Sequence, residues 1–230
     1  EANNVGVGSN ALKVITSGSD NVALGHAAGD AITTQSHCTL IGRNAGGAIN
    51  HNNANGTVAI GDHSLSTNTS GSKNTAIGFE SGLSATGDNN TVMGSGAFRT
   101  ANGGESDNVI IGREAGYSID HADSDNNVII GSACGTGGGA AFTGNIVLGF
   151  RAMNSTGSNA QTGTIAIGQD SLTALTSGSG NLAVGYLSGL NVSTGADNLG
   201  VGEKTIGGNS STAITGDANT AVGWSAGSNL

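Results

Sequence analysis

The side chains that could do metal chemistry are few, and the densest polar cluster of the chain is the segment 120–127. Asp123, Asp125 and Asn127 have the spacing that opens a calcium-binding loop. However, Val128 stands where the sharp turn of such a loop needs glycine, and no glutamate closes it. The pattern favours a solvated turn, and Asp123 and Asp125 are the carboxylates to examine for a cation.

The five histidines are scattered, with no pair at the spacing usual for metal ligands. If several copies of the chain packed around a common axis, an inward histidine would meet its own copies and could bind a metal there. His26 and His63 are the candidates for such a site, and the alternative is that both are ordinary surface residues.

Carboxylates that could serve an enzyme, such as Glu80, Glu114 and Glu203, lie in different parts of the repeat pattern described below. Glycosidase-type chemistry needs a carboxylate pair with an activating partner in one cleft. The glycine runs Gly137–Gly139 and Gly207–Gly208 lack the Lys-Ser/Thr that follows a phosphate-binding loop. The sequence therefore predicts a protein that is not an enzyme and binds no cofactor.

A five-residue motif recurs thirteen times along the chain, for example as Asn74–Gly78 and Asn108–Gly112. This repeat determines the secondary-structure elements that position the groups above. Each copy is a short apolar run closed by glycine, and successive copies are spaced by 16 to 21 residues. A fixed apolar unit at such a period is the signature of a solenoid. The closing glycines are Gly8, Gly25, Gly42, Gly61, Gly78, Gly94, Gly112, Gly131, Gly149, Gly168, Gly185, Gly202 and Gly223.

The three residues before each closing glycine are aliphatic, methionine, threonine or small, and many are β-branched, which predicts a short strand in every repeat. Side chains alternate faces along a strand, and neither face carries a charge. We expect the small middle residue, such as Ala76 or Ala183, to face outward against an identical neighbouring chain. The simplest arrangement is a ring of three chains, and a second layer of the same chain is the alternative.

Asparagine occupies the position before the strand in ten of the thirteen repeats; Cys38, Thr57 and Thr164 are the exceptions. Stacked coils would place these amides above one another in a ladder. The ladder residues predicted are Asn21, Asn74, Asn90, Asn108, Asn127, Asn145, Asn181, Asn198 and Asn219.

Four aromatic residues directly follow a closing glycine: Phe79, Phe150, Tyr186 and Trp224. Other repeats carry charged residues at that position, so we expect it to be partly exposed. These rings either pack between chains at the rim or form a contact stripe for a ligand such as a glycan.

Composition narrows the classes of function. The 230 residues include 42 glycines and no proline, only 10% are charged, and the formal net charge is −9. The negative charge argues against nucleic acid or an anionic membrane as partner, and no apolar run is long enough to span a bilayer. We expect one repeat domain over residues 1–230 with a thin core, in which Cys38 and Cys134 fill space without forming a disulfide.

The motif Asn74-Thr75-Ala76-Ile77-Gly78 and its copies, each followed by two residues and then Ala or Ser in most repeats, resemble the head repeat of trimeric autotransporter adhesins of the YadA type. Similar repeats occur in trimeric tail fibres of bacteriophages. The units Thr57–Gly61, Asn74–Gly78 with Ser81, and Asn181–Gly185 with Ser188 carry the resemblance, which extends over essentially the whole chain. It implies a left-handed parallel β-roll with one coil per repeat and three chains side by side.

The repeats here are longer and more variable than those of that family, and the 230 residues contain no neck, stalk or barrel anchor. The resemblance implies an extracellular segment of a longer fibre, on a cell surface or a virion. Its expected role is attachment to a host-surface glycan, protein or matrix. The alternative is a structural shaft or a self-assembling filament without a receptor of its own.

Overall fold

The structure, a computed structural model, describes residues 2–51, 54–157, 159–209 and 211–230. Within these ranges the chain contains β-strands, turns and bends but no helix. Thirteen strands of three residues each form one parallel sheet in chain order, apart from two short side strands. The all-β parallel solenoid predicted from the repeats is confirmed, and about twelve turns of chain join the thirteen strands.

Every strand of the main sheet occupies the three positions before a closing glycine. The strands are β1 Val5–Val7, β2 Val22–Leu24, β3 Thr39–Ile41, β4 Val58–Ile60, β5 Thr75–Ile77, β6 Thr91–Met93, β7 Val109–Ile111, β8 Val128–Ile130, β10 Ile146–Leu148, β12 Ile165–Ile167, β13 Leu182–Val184, β14 Leu199–Val201 and β15 Thr220–Val222. The side strands β9 Phe142–Thr143 and β11 Gln161–Thr162 pair with each other on another side of the coil.

The register is the same at every step of the stack, as in Thr75↔Thr91 and Thr91↔Val109. Equivalent repeat positions therefore lie above one another along the whole solenoid, whatever the number of residues in the connecting turns.

The strand faces are the reverse of those expected from the sequence. The middle residue points into the coil: Ala76 is 0% exposed and Ala183 is 3% exposed. The first and third residues, such as Thr75 and Ile77, point outward. The physical reason is that a core only one coil wide has room for a small or medium side chain from each strand. The small size of alanine thus reflects limited space inside the coil, not close approach of a neighbouring chain.

Two repeat positions in the turns supply large side chains to the core. Four residues after the closing glycine stands either a large buried side chain, such as Phe98, or another glycine. Where it is glycine, as at Gly46 and Gly116, an isoleucine three residues further along fills the space, namely Ile49 or Ile119. A Cβ on Gly46 would lie 2.8 Å from Ile49 Cδ1, so Ile49 occupies the space that a side chain at position 46 would take. In another coil both positions are filled, by Leu172 and Leu175.

The closing glycine is required by the backbone. At these positions φ lies between 114° and 147°, a region that side chains other than glycine rarely adopt. A Cβ on Gly61 would lie 2.3 Å from the carbonyl oxygen of Gly78 in the next coil. The glycines therefore stack in direct backbone contact where the chain leaves the sheet.

Cys38 and Cys134 are free thiols in the core, in agreement with the sequence expectation. Burial raises the pKa of Cys38, and it raises the pKa of Cys134 to about 12. Both thiols are therefore protonated near neutral pH and serve as packing groups.

Candidate functional site

The asparagines before the strands form a hydrogen-bonded ladder along the solenoid. Asn108 shows the complete pattern: its backbone N–H and its Nδ2 both donate to Asn90 Oδ1, each at 3.1 Å. Its Nδ2 also donates to the Ser124 carbonyl at 3.0 Å. Its own Oδ1 accepts the backbone N–H and the Nδ2 of Asn127, at 3.0 and 2.9 Å. One buried amide thus links three coils with all its polar atoms satisfied.

The ladder is interrupted where another residue replaces asparagine. A threonine hydroxyl has one donor, whereas the asparagine amide donates both to the coil before and to the coil after, as Asn108 does. Among the described residues, the buried hydroxyls of Thr57 and Thr164 have no hydrogen-bond partner. The residues that bond in the ladder are Asn21, Asn74, Asn90, Asn108, Asn127, Asn145, Asn181, Asn198 and Asn219, with Asn4 at its start.

The cation candidates from the sequence lie in ordinary surroundings. Asp123 is exposed beside His121, and Asp125 Oδ1 accepts the Ser106 N–H at 2.6 Å. His26 is exposed, and His63 lies against Asp62 and within 3.0 Å of Asn44 Nδ2. Over the described ranges, no cluster of three or more His, Cys, Asp or Glu could hold a metal ion.

The outward side chains of the thirteen strands form one continuous surface, which we call the outward sheet face. No strand of the described structure contributes a charged residue to it. Its members inside the stack are partly exposed, for example Met93 at 43% and Ile130 at 39%, and those of the two end strands are more exposed, with Val7 at 60% and Val222 at 66%. Its members are Val5, Val7, Val22, Leu24, Thr39, Ile41, Val58, Ile60, Thr75, Ile77, Thr91, Met93, Val109, Ile111, Val128, Ile130, Ile146, Leu148, Ile165, Ile167, Leu182, Val184, Leu199, Val201, Thr220 and Val222.

The four aromatic residues after the closing glycines lie along one edge of the outward sheet face. Phe79 is 52% exposed, Phe150 46%, Tyr186 44% and Trp224 74%. They follow strands β5, β10, β13 and β15, so the structure does not bring the four rings together into one site. Each ring has its own surroundings; the Arg151 guanidinium, for example, lies 6.0 Å from the centre of the Phe150 ring.

Among these four rings, Phe79 lines a cleft with further aromatic and charged groups. We call this cleft the coil-6 notch, because its middle is formed by the coil that follows Gly94, the sixth closing glycine, with Ser95, Gly96 and Arg99. It has a volume of about 300 Å³. Its lining residues are Phe79, Glu80, Ser95, Gly96, Arg99, Glu114 and Tyr117.

The notch is opened by Ser95 and Gly96. At the two repeat positions of Ser95 and Gly96, the preceding coil has Phe79 and Glu80, and the following coil has Arg113 and Glu114. A Cβ added to Gly96 would lie 3.7 Å from Glu114 Cγ and 3.8 Å from the Tyr117 ring, in ordinary contact. The missing side chain at coil 6 therefore leaves real space between the coils on either side.

The charged groups of the notch are held in place by one another. Arg99 Nε donates to Glu80 Oε2 at 2.6 Å, and Arg99 Nη1 donates to the Tyr117 hydroxyl at 3.0 Å. The Arg99 guanidinium also lies 5.8 Å from the centre of the Tyr117 ring. The hydrogen bond to Glu80 raises the pKa of Arg99, so the guanidinium stays charged. Glu114 pairs with Arg113 at 2.7 Å.

Sequence reasoning identified Phe79 but missed Arg99 and Tyr117. Both stand five residues after a closing glycine, a position that varies freely between repeats. The available signal was the coincidence of Ser95 and Gly96 in one repeat with bulky residues in the repeats before and after it. That signal has meaning only once the repeats are known to stack in register.

No family model, curated protein or solved structure matches this chain. The structure also contains, within its described ranges, no helix of the length and apolarity that crossing a bilayer requires.

A buried carboxylate lies close to the ladder but was not anticipated. Glu105 is 0% exposed, and its carboxylate accepts the N–H groups of Gly103 and Gly104 at 3.1 Å. Gln35 makes the equivalent contacts four coils earlier, with Oε1 accepting the N–H of Thr33 at 2.8 Å. Burial raises the pKa of Glu105, and the nearby Asp120 adds to the effect.

Proposed function

We propose that the chain is a non-enzymatic segment of a trimeric fibre that projects from a cell or virion surface and attaches to a host glycan, protein or matrix. Three copies pack through the outward sheet face and so form a rigid extracellular rod. By its resemblance to YadA-type head repeats, the proposed roll is left-handed. Nucleic acid and membrane insertion play no part in this proposal.

The main support for the proposal is the outward sheet face, because it is long and uncharged. At about 4.8 Å per coil the thirteen strands make a strip about 62 Å long and about 10 Å wide. This area is of the same order as the roughly 800 Å² that each partner buries in a standard stable interface. A strip of this length without a charge is costly to leave in water, and its constant register allows it to receive an identical strip.

A fibre would also explain where the recognition groups lie. The aromatic residues and the coil-6 notch are at the edge of the outward sheet face and beyond it, so a trimer could present three copies of each. Three weak sites on one rod bind a surface much more tightly than one site does.

The alternative is a structural shaft without a receptor. It is favoured by the asparagine ladder and the outward sheet face, which account for a rod without any recognition group. The exposed Phe79, Tyr186 and Trp224 have no role in that alternative.

A binding assay on cells separates the two functions. The labelled protein would be applied to bacterial and animal cells, untreated or treated with periodate to oxidise glycan diols, or with protease. We expect binding to some of these cells, reduced by one of the two treatments. Absence of binding to every cell type, with a trimer confirmed by mass, would contradict attachment and support the shaft.

A further inference from the structure

We propose that the coil-6 notch is a binding site for a neutral saccharide, with one pyranose ring placed between Phe79 and Tyr117. This inference deepens the proposed attachment function and rests on it, since it assigns the ligand class and the residues of one recognition site.

The aromatic rings of the notch suit the apolar face of a pyranose. Phe79 is 52% exposed and borders the notch, and Tyr117 lines it from the coil two steps further along. The C–H groups on one face of a pyranose form a flat apolar surface, which packs well on an aromatic ring. The space of about 300 Å³ lies at the lower end of the range for small-molecule sites.

The polar groups of the notch suit the hydroxyls of a sugar. Sugar hydroxyls are recognised by charged planar groups that can donate and accept two hydrogen bonds side by side. Glu80 and Arg99 provide such groups, and both are fixed by the 2.6 Å bond between them and by the bond from Arg99 to Tyr117. A site whose side chains are already ordered loses little conformational entropy when the ligand binds.

The charge of the notch selects a neutral sugar over an acidic one. The lining contains two carboxylates, Glu80 and Glu114, and one guanidinium, that of Arg99. Glu80 is paired with Arg99 and Glu114 with Arg113, so a sialic or uronic acid carboxylate would meet two paired glutamates and no free cation in the lining. We therefore expect a galacto-, gluco- or manno-configured residue without an acidic group.

Phe150 differs from Phe79 in its surroundings. Phe150 shares the repeat position and the exposure of Phe79, at 46%. It is covered on one side by Arg151, which pairs with Asp170 at 3.4 Å. Phe150 is therefore a matched control: a ring of the same type at the same position, outside the notch.

Two variants test the assignment from opposite directions. Phe79→Ala removes the exposed ring, whereas Gly96→Asn fills the floor. Asparagine is compatible with the backbone there, because Gly96 has φ 64° and Asn44 holds φ 55° at the equivalent position. Phe150→Ala serves as the control, and thermal melting together with mass in solution shows that each variant keeps its fold and assembly.

The experiment is ligand-observed saturation-transfer NMR of the protein with lactose, maltose, cellobiose and methyl mannoside, with sialyllactose as the acidic comparison. We expect at least one neutral sugar to bind more tightly than sialyllactose. Binding of that sugar should weaken roughly tenfold or more in both notch variants and remain unchanged in Phe150→Ala.

Three results would overturn the assignment: no neutral sugar binds, both notch variants bind as the wild type does, or sialyllactose binds best. These results are separable from failure of the proposed fibre. A trimer without sugar binding would refute the notch and leave the fibre in place. A monomer that binds sugar through Phe79 would refute the fibre and leave the notch in place.

Discussion

At the residue scale the fold depends on side chains that satisfy atoms in neighbouring coils. An asparagine in the ladder bonds the coil before and the coil after, and no other side chain offers two donors and a two-fold acceptor at that length. Ladder residues were visible in the sequence because they recur at one repeat position. Glu105 was not, because its position holds different residue types from one repeat to the next.

The break in the ladder at Thr164 can be repaired. In Thr164→Asn, the new amide could accept the N–H and Nδ2 of Asn181 and donate to Asn145 Oδ1, as Asn108 does in its own coil. The variant should be more stable by about 1 kcal/mol, the net value of a buried hydrogen bond. In a chain of this size that corresponds to a rise in Tm of about 2–4 °C.

The control for this exchange is Thr162→Asn, since Thr162 is exposed and outside the ladder. Thermal melting followed by circular dichroism would compare the two variants with the wild type. A Tm for Thr164→Asn at or below that of the control would contradict this account of the ladder.

Glu105 should make stability depend on pH. Its pKa in the folded chain is raised above the ordinary 4.5, so the folded state binds the proton more tightly than the unfolded state. Its contribution to stability is therefore fully present below about pH 4.5 and is lost as pH rises through the folded pKa. Glu105→Gln should be more stable than the wild type at pH 7, with the difference disappearing towards pH 4.

The reverse exchange, Gln35→Glu, provides the matched test at the equivalent position. It should lower Tm at pH 7 and lower it less at acidic pH. Melting curves of both variants between pH 4 and pH 8 measure the effect as a difference from the wild type, in which the other carboxylates cancel. A difference that does not change with pH in Glu105→Gln would contradict the assignment.

At the scale of the coil, the sequence predicted the strand positions but not which strand face is inside. The spacing of the closing glycines was sufficient for the strands, since glycine at φ near 135° ends each one. The alternation of side chains along a strand predicts two faces, but it does not show which of them points into the coil. The width of the coil decides which face points inward. That width depends on the turns, in which one repeat position holds residues as different as Gly46 and Phe98.

The coil-6 notch was missed for a related reason, because its lining comes from three coils.

Two neighbouring isoleucines of β7 test the assignment of faces. Ile110 is 0% exposed and points into the core, whereas Ile111 points outward. Ile110→Lys would bury an unpaired charge and should abolish folding. Ile111→Lys places the charge on the outward sheet face, so the chain should keep its β circular dichroism signal and lose its partners.

Size-exclusion chromatography with circular dichroism distinguishes these outcomes. A folded Ile110→Lys variant would show that the faces are assigned wrongly. An Ile111→Lys variant that keeps the mass of the wild-type assembly would show that the outward sheet face does not carry the contact between chains.

At the scale of the whole molecule, the described structure is a stack in which neighbouring coils are joined by backbone bonds and glycine contacts, and in most coils also by asparagine amides. Such a stack accounts for a rod but leaves the uncharged outward sheet face in contact with water. The proposed trimer follows from that face and from the formal charge of −9, which keeps the remaining surface soluble. Attachment depends in turn on the trimer, because three copies raise the avidity of weak sites.

The mass of the protein in solution, measured by light scattering on a sizing column, shows whether three chains assemble. A trimer has about three times the chain mass of 22.2 kDa and elutes early as an elongated particle, and this is the expected result. A compact particle with the mass of one chain would contradict it, since the outward sheet face would then be stable without a partner.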